Sequence, residues 1–235
     1  MDSKNTTQTN AVPWSTQDTW VGVGSLFILL IILMVLTFFM PDMDIALFLI
    51  LGESIFLIPV WFIGIRKYRV KWSAMGLRAF NLGSIGIGCG LMVLSWLFNL
   101  GYGLFLGLFS LRVQPDFAPL FSEAASPAWV FFGGALVAPL VEEIIFRGFI
   151  FAGLQGRYGW KKSALISAGL FAMIHFQPAA IIPIFILGLI FAYLYHLSGS
   201  IWPAVIMHMS TNALGLGAVY FAAEYGILDL SILLP

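Results

Sequence analysis

The sequence predicts an all-α polytopic transmembrane helical bundle of about seven spans, and three observations carry that reading. Hydrophobic residues make up 60% of the 235, charged residues only 9%, and the mean hydropathy is +0.98. An ordinary soluble domain carries about 25% charged residues. Apolar runs of about 20 residues recur along the chain, the length that crosses a bilayer. The basic residues collect in the connections between those runs, as Arg66, Lys67, Arg69, Lys71 and Arg78, and again as Arg157, Lys161 and Lys162. Net charge is zero, so no basic surface points to nucleic acid. The single Cys89 excludes an internal disulfide and a thiolate-rich metal cluster. In its Gly-rich setting it reads as a small packing residue.

Residues 1–20 are polar, rich in Asn, Thr and Gln, and read as a disordered cytoplasmic tail. The bundle is expected over residues 21–222. The first span covers about 21–40 and stops at Met40-Pro41-Asp42. No basic segment precedes it and it is long enough to cross, so it reads as an anchor rather than a cleaved signal peptide. The second covers about 45–65 and runs into the basic loop. The third, about 82–107, is Gly-rich and is expected to break or tilt, its glycines packing closely on other helices. The fourth, about 128–154, holds Pro139-Leu140-Val141-Glu142-Glu143-Ile144-Ile145-Phe146-Arg147-Gly148. The fifth, about 162–176, is short and ends at Phe176-Gln177-Pro178. The sixth covers about 179–197, the seventh about 201–222, and 223–235 is a mildly acidic tail. With seven spans, the positive-inside rule puts both basic loops, and the N-terminus, on the cytoplasmic side. The short, loop-poor chain points to a plasma membrane. No internal repeat is evident, which argues against an inverted-repeat transporter.

The polar residues inside these spans are few. A charge at that depth costs at least ~2.5–3.5 kcal/mol on insertion scales, so it reads as functional by default. Glu143 and Arg147 are four apart with the acid N-terminal, the favourable helical pairing. Glu142 lies about a quarter-turn round the helix and has no partner within the motif. His208 and Asn212, also four apart, share one face. Taken alone, interhelical hydrogen bonding accounts for that pair, and a satisfied histidine beside a helix end accounts for His175. Measured from the cytoplasmic ends, however, Glu142 lies about 18 Å deep, His175 about 20 Å, His208 about 10 Å and Asn212 about 16 Å. Overlapping depths are what a buried site open to the cytoplasmic side would show. Glu53 either meets the site or pairs with a nearby polar group, the pairing being preferred, and His196 is expected to sit at the interface.

A carboxylate and an imidazole can jointly activate a water. A second His and an Asn can donate to a developing oxyanion. The same set offers Glu142, His175 and His208 as the ligands of a catalytic zinc. Spacing does not decide between the two, because there is no His-Glu-x-x-His. A serine or cysteine triad has no support: Cys89 lies in a different region, and Ser210 has only His208 beside it.

At these residues the sequence resembles the CPBP (Abi) family of intramembrane proteases, named for CAAX-prenyl processing and bacteriocin processing, and is similar to type II CAAX prenyl endopeptidases. The family's Glu-Glu-x-x-x-Arg is matched by Glu142, Glu143 and Arg147. Its Phe-x-x-x-His is matched by Phe171 and His175, and its His-x-x-x-Asn by His208 and Asn212. The motifs occur in family order, and the resemblance covers about 128–215, the protease-like core.

The resemblance implies peptide-bond hydrolysis within the membrane. Glu142 and His175 would activate the water, and His208 and Asn212 would stabilise the oxyanion. Glu143, Arg147 and Phe171 would support the site. It also implies a choice between a metalloprotease and a metal-free, glutamate-dependent enzyme. The metal-free version is preferred here, with no cofactor required and zinc as the alternative. The expected partners are membrane lipid and a peptide or protein substrate, either prenylated or a bacteriocin leader. Two readings compete: a non-catalytic membrane immunity or scaffold protein, and a proton- or ion-coupled transporter with a midplane site.

Overall fold

Helix is the only regular structure among the described residues, as a bilayer requires of a chain that must satisfy its own backbone hydrogen bonds. The structure, a computed structural model, describes residues 12–40, 42–111, 113 and 118–225. Among the described residues, six helical segments are long and apolar enough to cross a membrane. They are α1 (Thr16–Thr37), α2 (Ile45–Arg66), α3 (Gly83–Gly107), the 47-residue Pro127–Met173, then Pro178–Ser198 and Trp202–Ala222. The long one is two helices. Gly159, at φ 70° and ψ 164°, leaves the helical region and divides it into α4 (127–158) and α5 (160–173). Only glycine takes such a conformation without strain. With α6 (Pro178–Ser198) and α7 (Trp202–Tyr225) the count is seven, and the all-α polytopic bundle stands as read from the sequence.

The N-terminal boundary differs from expectation. Residues 1–11 lie outside the described residues, but 12–20 are not a loose tail. Ser15 caps α1 by accepting from the Asp18 backbone N–H at 3.0 Å. Trp14 is 3% exposed, stacks on Phe149 with ring centroids 5.7 Å apart and donates Nε1–H to the Phe149 carbonyl at 3.2 Å. Burying an indole whose N–H finds an acceptor is enough to tie down this otherwise polar stretch. At the other end, α7 runs to Tyr225, three residues beyond the expected boundary, and 226–235 lie outside the described residues.

The third span is also corrected. α3 is one continuous 25-residue helix, without the expected break. Its buried face repeats at helical spacing through Ser84, Gly88, Met92, Ser95, Asn99, Gly103 and Leu106. Of its glycines, Gly88 packs against Met207 and Leu194, whereas Gly86 and Gly90 have open space beside them. Cys89 is exposed on the outer face rather than packed.

The basic connection after α2 closes one end of the bundle. Met75 is fully buried beneath Gly148, where any side chain would meet the Met75 carbonyl. Ile201 donates its N–H to Gly76 at 3.0 Å, and Arg78 Nε donates to the Gly199 carbonyl at 2.5 Å. α4 runs through the centre, and residues 143–154 are all buried. It carries two π-helical stretches, Phe132–Val137 and Ile144–Phe151, which flank Glu142 and Glu143. Such insertions free backbone carbonyls and recur at functional sites.

Candidate active site

Pro139 has no N–H, and the π-helical register before it makes that matter. Ala138 donates to the carbonyl of Gly133, five residues back. In the same register the carbonyl of Gly134 would need Pro139. Asn212 fills the gap from α7, donating Nδ2–H to the Gly134 carbonyl at 2.9 Å. Proline in α4 and asparagine in α7 are therefore two halves of one contact.

The charged cluster sits one turn further along α4. Arg147 is fully buried and donates Nη1–H to Glu143 Oε1 at 2.8 Å and Nη2–H to the Gly188 carbonyl of α6 at 3.0 Å. Aromatic faces surround the guanidinium: Phe171 at 4.6 Å, Phe191 at 5.2 Å and Phe146 at 5.9 Å. Cation–π attraction of this kind is strongest where water is excluded. The i,i+4 pair read from the sequence is thus present, and α6 and aromatic rings complete its shell.

His208 joins the cluster from α7. Its Nδ1 lies 3.0 Å from Glu143 Oε1, and its Nε2 lies 3.5 Å from Glu142 Oε2. Its ring stacks on Phe191 at 4.8 Å and meets Phe171 edge-on at 5.7 Å. A carboxylate can only accept, so Nδ1 carries the proton given to Glu143. Nε2 is the atom turned to Glu142, whose Oε2 is buried without a hydrogen bond.

His175 is set by a different device. Its Nδ1 donates to the Phe171 carbonyl one turn back at 2.6 Å. In the neutral ring Nε2 is then the unprotonated acceptor. His175 and Glu142 line one cavity of about 260 Å³, walled by Val23, Leu26, Phe27 and Leu30 of α1 and by Phe146 and Ile150 of α4.

The structure therefore brings Glu142, Glu143, Arg147, Phe171 and His208 into one contact network and places His175 on a cavity shared with Glu142. Asn212 holds Gly134 at the neighbouring turn. For Glu53 the less favoured of the two sequence readings fits the structure. This residue has no local polar partner, contrary to expectation, and lines the same cavity as Glu142 and His175. An intramembrane carboxylate was the available signal, but nothing in α2 indicates which way it faces. Phe191 and Gly188, which complete the Arg147 shell, carry no signal of their own in an apolar helix. His196 stacks on Trp160 at 4.5 Å, away from the site.

Fold and site together define a polytopic membrane protein with a buried Glu–His–Arg centre. Residues 124–214 match the family model described as Type II CAAX prenyl endopeptidase Rce1-like. That stretch contains every motif residue from Glu142 to Asn212, so the resemblance read from the motifs is borne out there, and over it the chain is similar to a family of membrane proteases. Among curated proteins, the chain is 32% identical over 78 residues to the "Putative membrane peptidase YdiL" of Bacillus subtilis, covering 33% of this chain and 32% of that one. It is 32% identical over 85 residues to the "UPF0177 protein YxdF" of Lactococcus lactis, covering 36% and 46%. It is 29% identical over 134 residues to an "Uncharacterized 24.3 kDa protein" of Escherichia coli, covering 52% and 62%. The chain thus spans between 32% and 62% of these relatives' lengths. No solved structure matches the chain.

Proposed function

We propose that this protein is an intramembrane endopeptidase, with Glu142 and His175 activating the attacking water. The supporting observation is that these two side chains share one apolar-walled cavity, with His175 Nε2 left free to accept a proton. The water gives its proton to this pair and attacks the scissile carbonyl. His208 and Asn212 are the donors to the oxyanion: His208 would act through Nε2–H, which requires both ring nitrogens to carry protons, and Asn212 retains a second amide proton beyond the one given to Gly134. Glu143 and Arg147 hold His208 in place from behind.

A metal-free mechanism is preferred to a zinc one. Among the described residues no three His, Cys, Asp or Glu side chains are arranged to hold a metal ion. The Nδ1–H that His208 gives to Glu143 leaves Nε2 facing Glu142, as it would in either version. The proposed mechanism needs no metal, and cleavage that persists in a strong chelator is its expected signature.

The substrate class that suits the cavity is a peptide carrying an apolar group, of which a prenylated C-terminal peptide is the leading example. A bacteriocin leader is the alternative. By the positive-inside argument the site faces the cytoplasmic side of a plasma membrane, with the N-terminus inside. The test is cleavage of a fluorogenic farnesylated CAAX peptide by purified protein in detergent. Wild type is expected to cleave it, and Glu142→Ala and His175→Ala to lose about 10²–10⁴-fold in rate while remaining folded. Equal cleavage by Glu142→Ala would remove the proposal. Cleavage of an unprenylated leader peptide alone would shift the substrate class.

A further inference from the structure

Three carboxyl groups approach the centre of this bundle, and only two have a nitrogen partner. Glu143 has Arg147 at 2.8 Å. Glu142 has His208 Nε2 at 3.5 Å. Glu53, on α2, has none: no hydrogen bond or ion pair reaches its carboxyl among the described residues. It faces the cavity of about 260 Å³ and also borders a second, of about 160 Å³, whose other walls include Leu33, Met34 and Phe48. The titratable groups lining the first cavity are Glu53 from α2, Glu142 from α4 and His175 from the end of α5, and α1 supplies apolar side chains alone. An unpartnered carboxylate is costly in such surroundings, which makes the carboxyl that no side chain reaches the one suited to carry a proton across the cavity.

We propose that Glu53 is a further catalytic residue of the site, the general acid that protonates the departing amine. The assignment rests on the endopeptidase reading above, and it lies outside the 124–214 stretch on which the family similarity stands. Peptide hydrolysis needs two proton transfers. As water attacks the carbonyl carbon, its proton passes to the Glu142–His175 pair and a C–O bond forms. As the tetrahedral intermediate collapses, the C–N bond breaks and the amine nitrogen takes the Glu53 carboxyl proton. The proton held by Glu142 and His175 then returns to Glu53 across the cavity they share. A carboxylic acid and an amine leave, and the site is restored with one water consumed. Without such a donor the amine would depart as an amide anion, a far poorer leaving group.

The test separates proton donation from a structural role. Wild type, Glu53→Gln and Glu53→Asp would be assayed on a farnesylated CAAX peptide and on its thioester analogue, whose thiolate departs without a proton. Glu53→Gln is expected to lose about 10²–10⁴-fold in kcat on the amide, with KM little changed. Its rate on the thioester should stay within a few-fold of wild type. The alkaline limb of the kcat profile should vanish in Glu53→Gln and persist in Glu53→Asp. Infrared difference spectra need no substrate: a protonated-carboxyl band at neutral pH should disappear in Glu53→Gln and remain in Glu142→Gln. Equal losses on amide and thioester, or an infrared band unaffected by Glu53→Gln, overturn the proposal. Failure of wild type to cleave any peptide overturns the endopeptidase reading instead, and the infrared result still decides whether Glu53 holds a proton.

Discussion

His208 reaches Glu143 across 65 residues of chain, its Nδ1 3.0 Å from Oε1, and the same oxygen receives Arg147 Nη1–H at 2.8 Å. One carboxylate oxygen thus ties α7 to α4, and through Arg147 to the Gly188 carbonyl of α6. Three helices are held by one buried charge pair.

That pair is expected to be structural first. Arg147→Met leaves Glu143 buried without its cation and should cost about 3–5 kcal/mol, read as lowered unfolding resistance in detergent. Arg147→Lys keeps the charge but cannot reach Glu143 and Gly188 as a planar fork, so it should fall between Met and wild type. If Arg147→Met unfolds like wild type, the pair does not hold the bundle.

Pro139 and Asn212 should be energetically coupled. Asn212→Ala strands the Gly134 carbonyl, at a cost of about 1–3 kcal/mol. In a Pro139→Ala background the restored N–H can serve that carbonyl, and the cost of Asn212→Ala should shrink. A double-mutant cycle of thermal unfolding measures this directly, and additive effects would show the two residues to be independent.

Two glycine-to-alanine changes should differ, one destabilising and the other neutral or stabilising. At Gly148 an added Cβ would sit 2.6 Å from the Met75 carbonyl oxygen, so backbone must shift. A loss of about 1–3 kcal/mol is expected in thermal unfolding. At Gly90 nothing lies within 4 Å, and alanine should be neutral or should gain up to about 1 kcal/mol from helix propensity.

Asp44 predicts an acid-sensitive contact outside the spans. It caps α2 by accepting from Leu47 N–H at 2.9 Å and also accepts from Ala125 N–H at 2.6 Å. The Ala125 bond first, then the Leu47 bond, holds its carboxyl below the ordinary 3.8. A lowered folded-state value contributes stability that is present above the unfolded value and lost as pH falls through the folded one. Melting temperature should therefore drop more steeply below about pH 4 in wild type than in Asp44→Asn, which has no charge to lose. Parallel curves would remove Asp44 as the cause.

Much of the site was legible because a bilayer makes polar residues conspicuous. Glu142, Glu143, Arg147, His175, His208 and Asn212 stand out against apolar runs, and helical spacing alone pairs Glu143 with Arg147. The role of Phe191 was not legible, since an aromatic residue in an apolar helix looks the same whether it faces lipid or a guanidinium. Nor was the burial of Trp14, because a polar flanking sequence does not reveal that one indole in it has found an acceptor on Phe149.

By itself, the sequence determined the class of protein, the approximate spans, and the costly side chains that must face inward. Those follow from local quantities: hydropathy, helix length and i,i+4 spacing. Tertiary structure alone decided which helix each inward group meets. It turned His208 to Glu142 and Glu143, matched Asn212 to the carbonyl that Pro139 leaves open, and placed Glu53 on the cavity of Glu142 and His175. The physical reason is that helix rotation and pairing are set by packing between residues far apart in the chain, for which hydropathy carries no information.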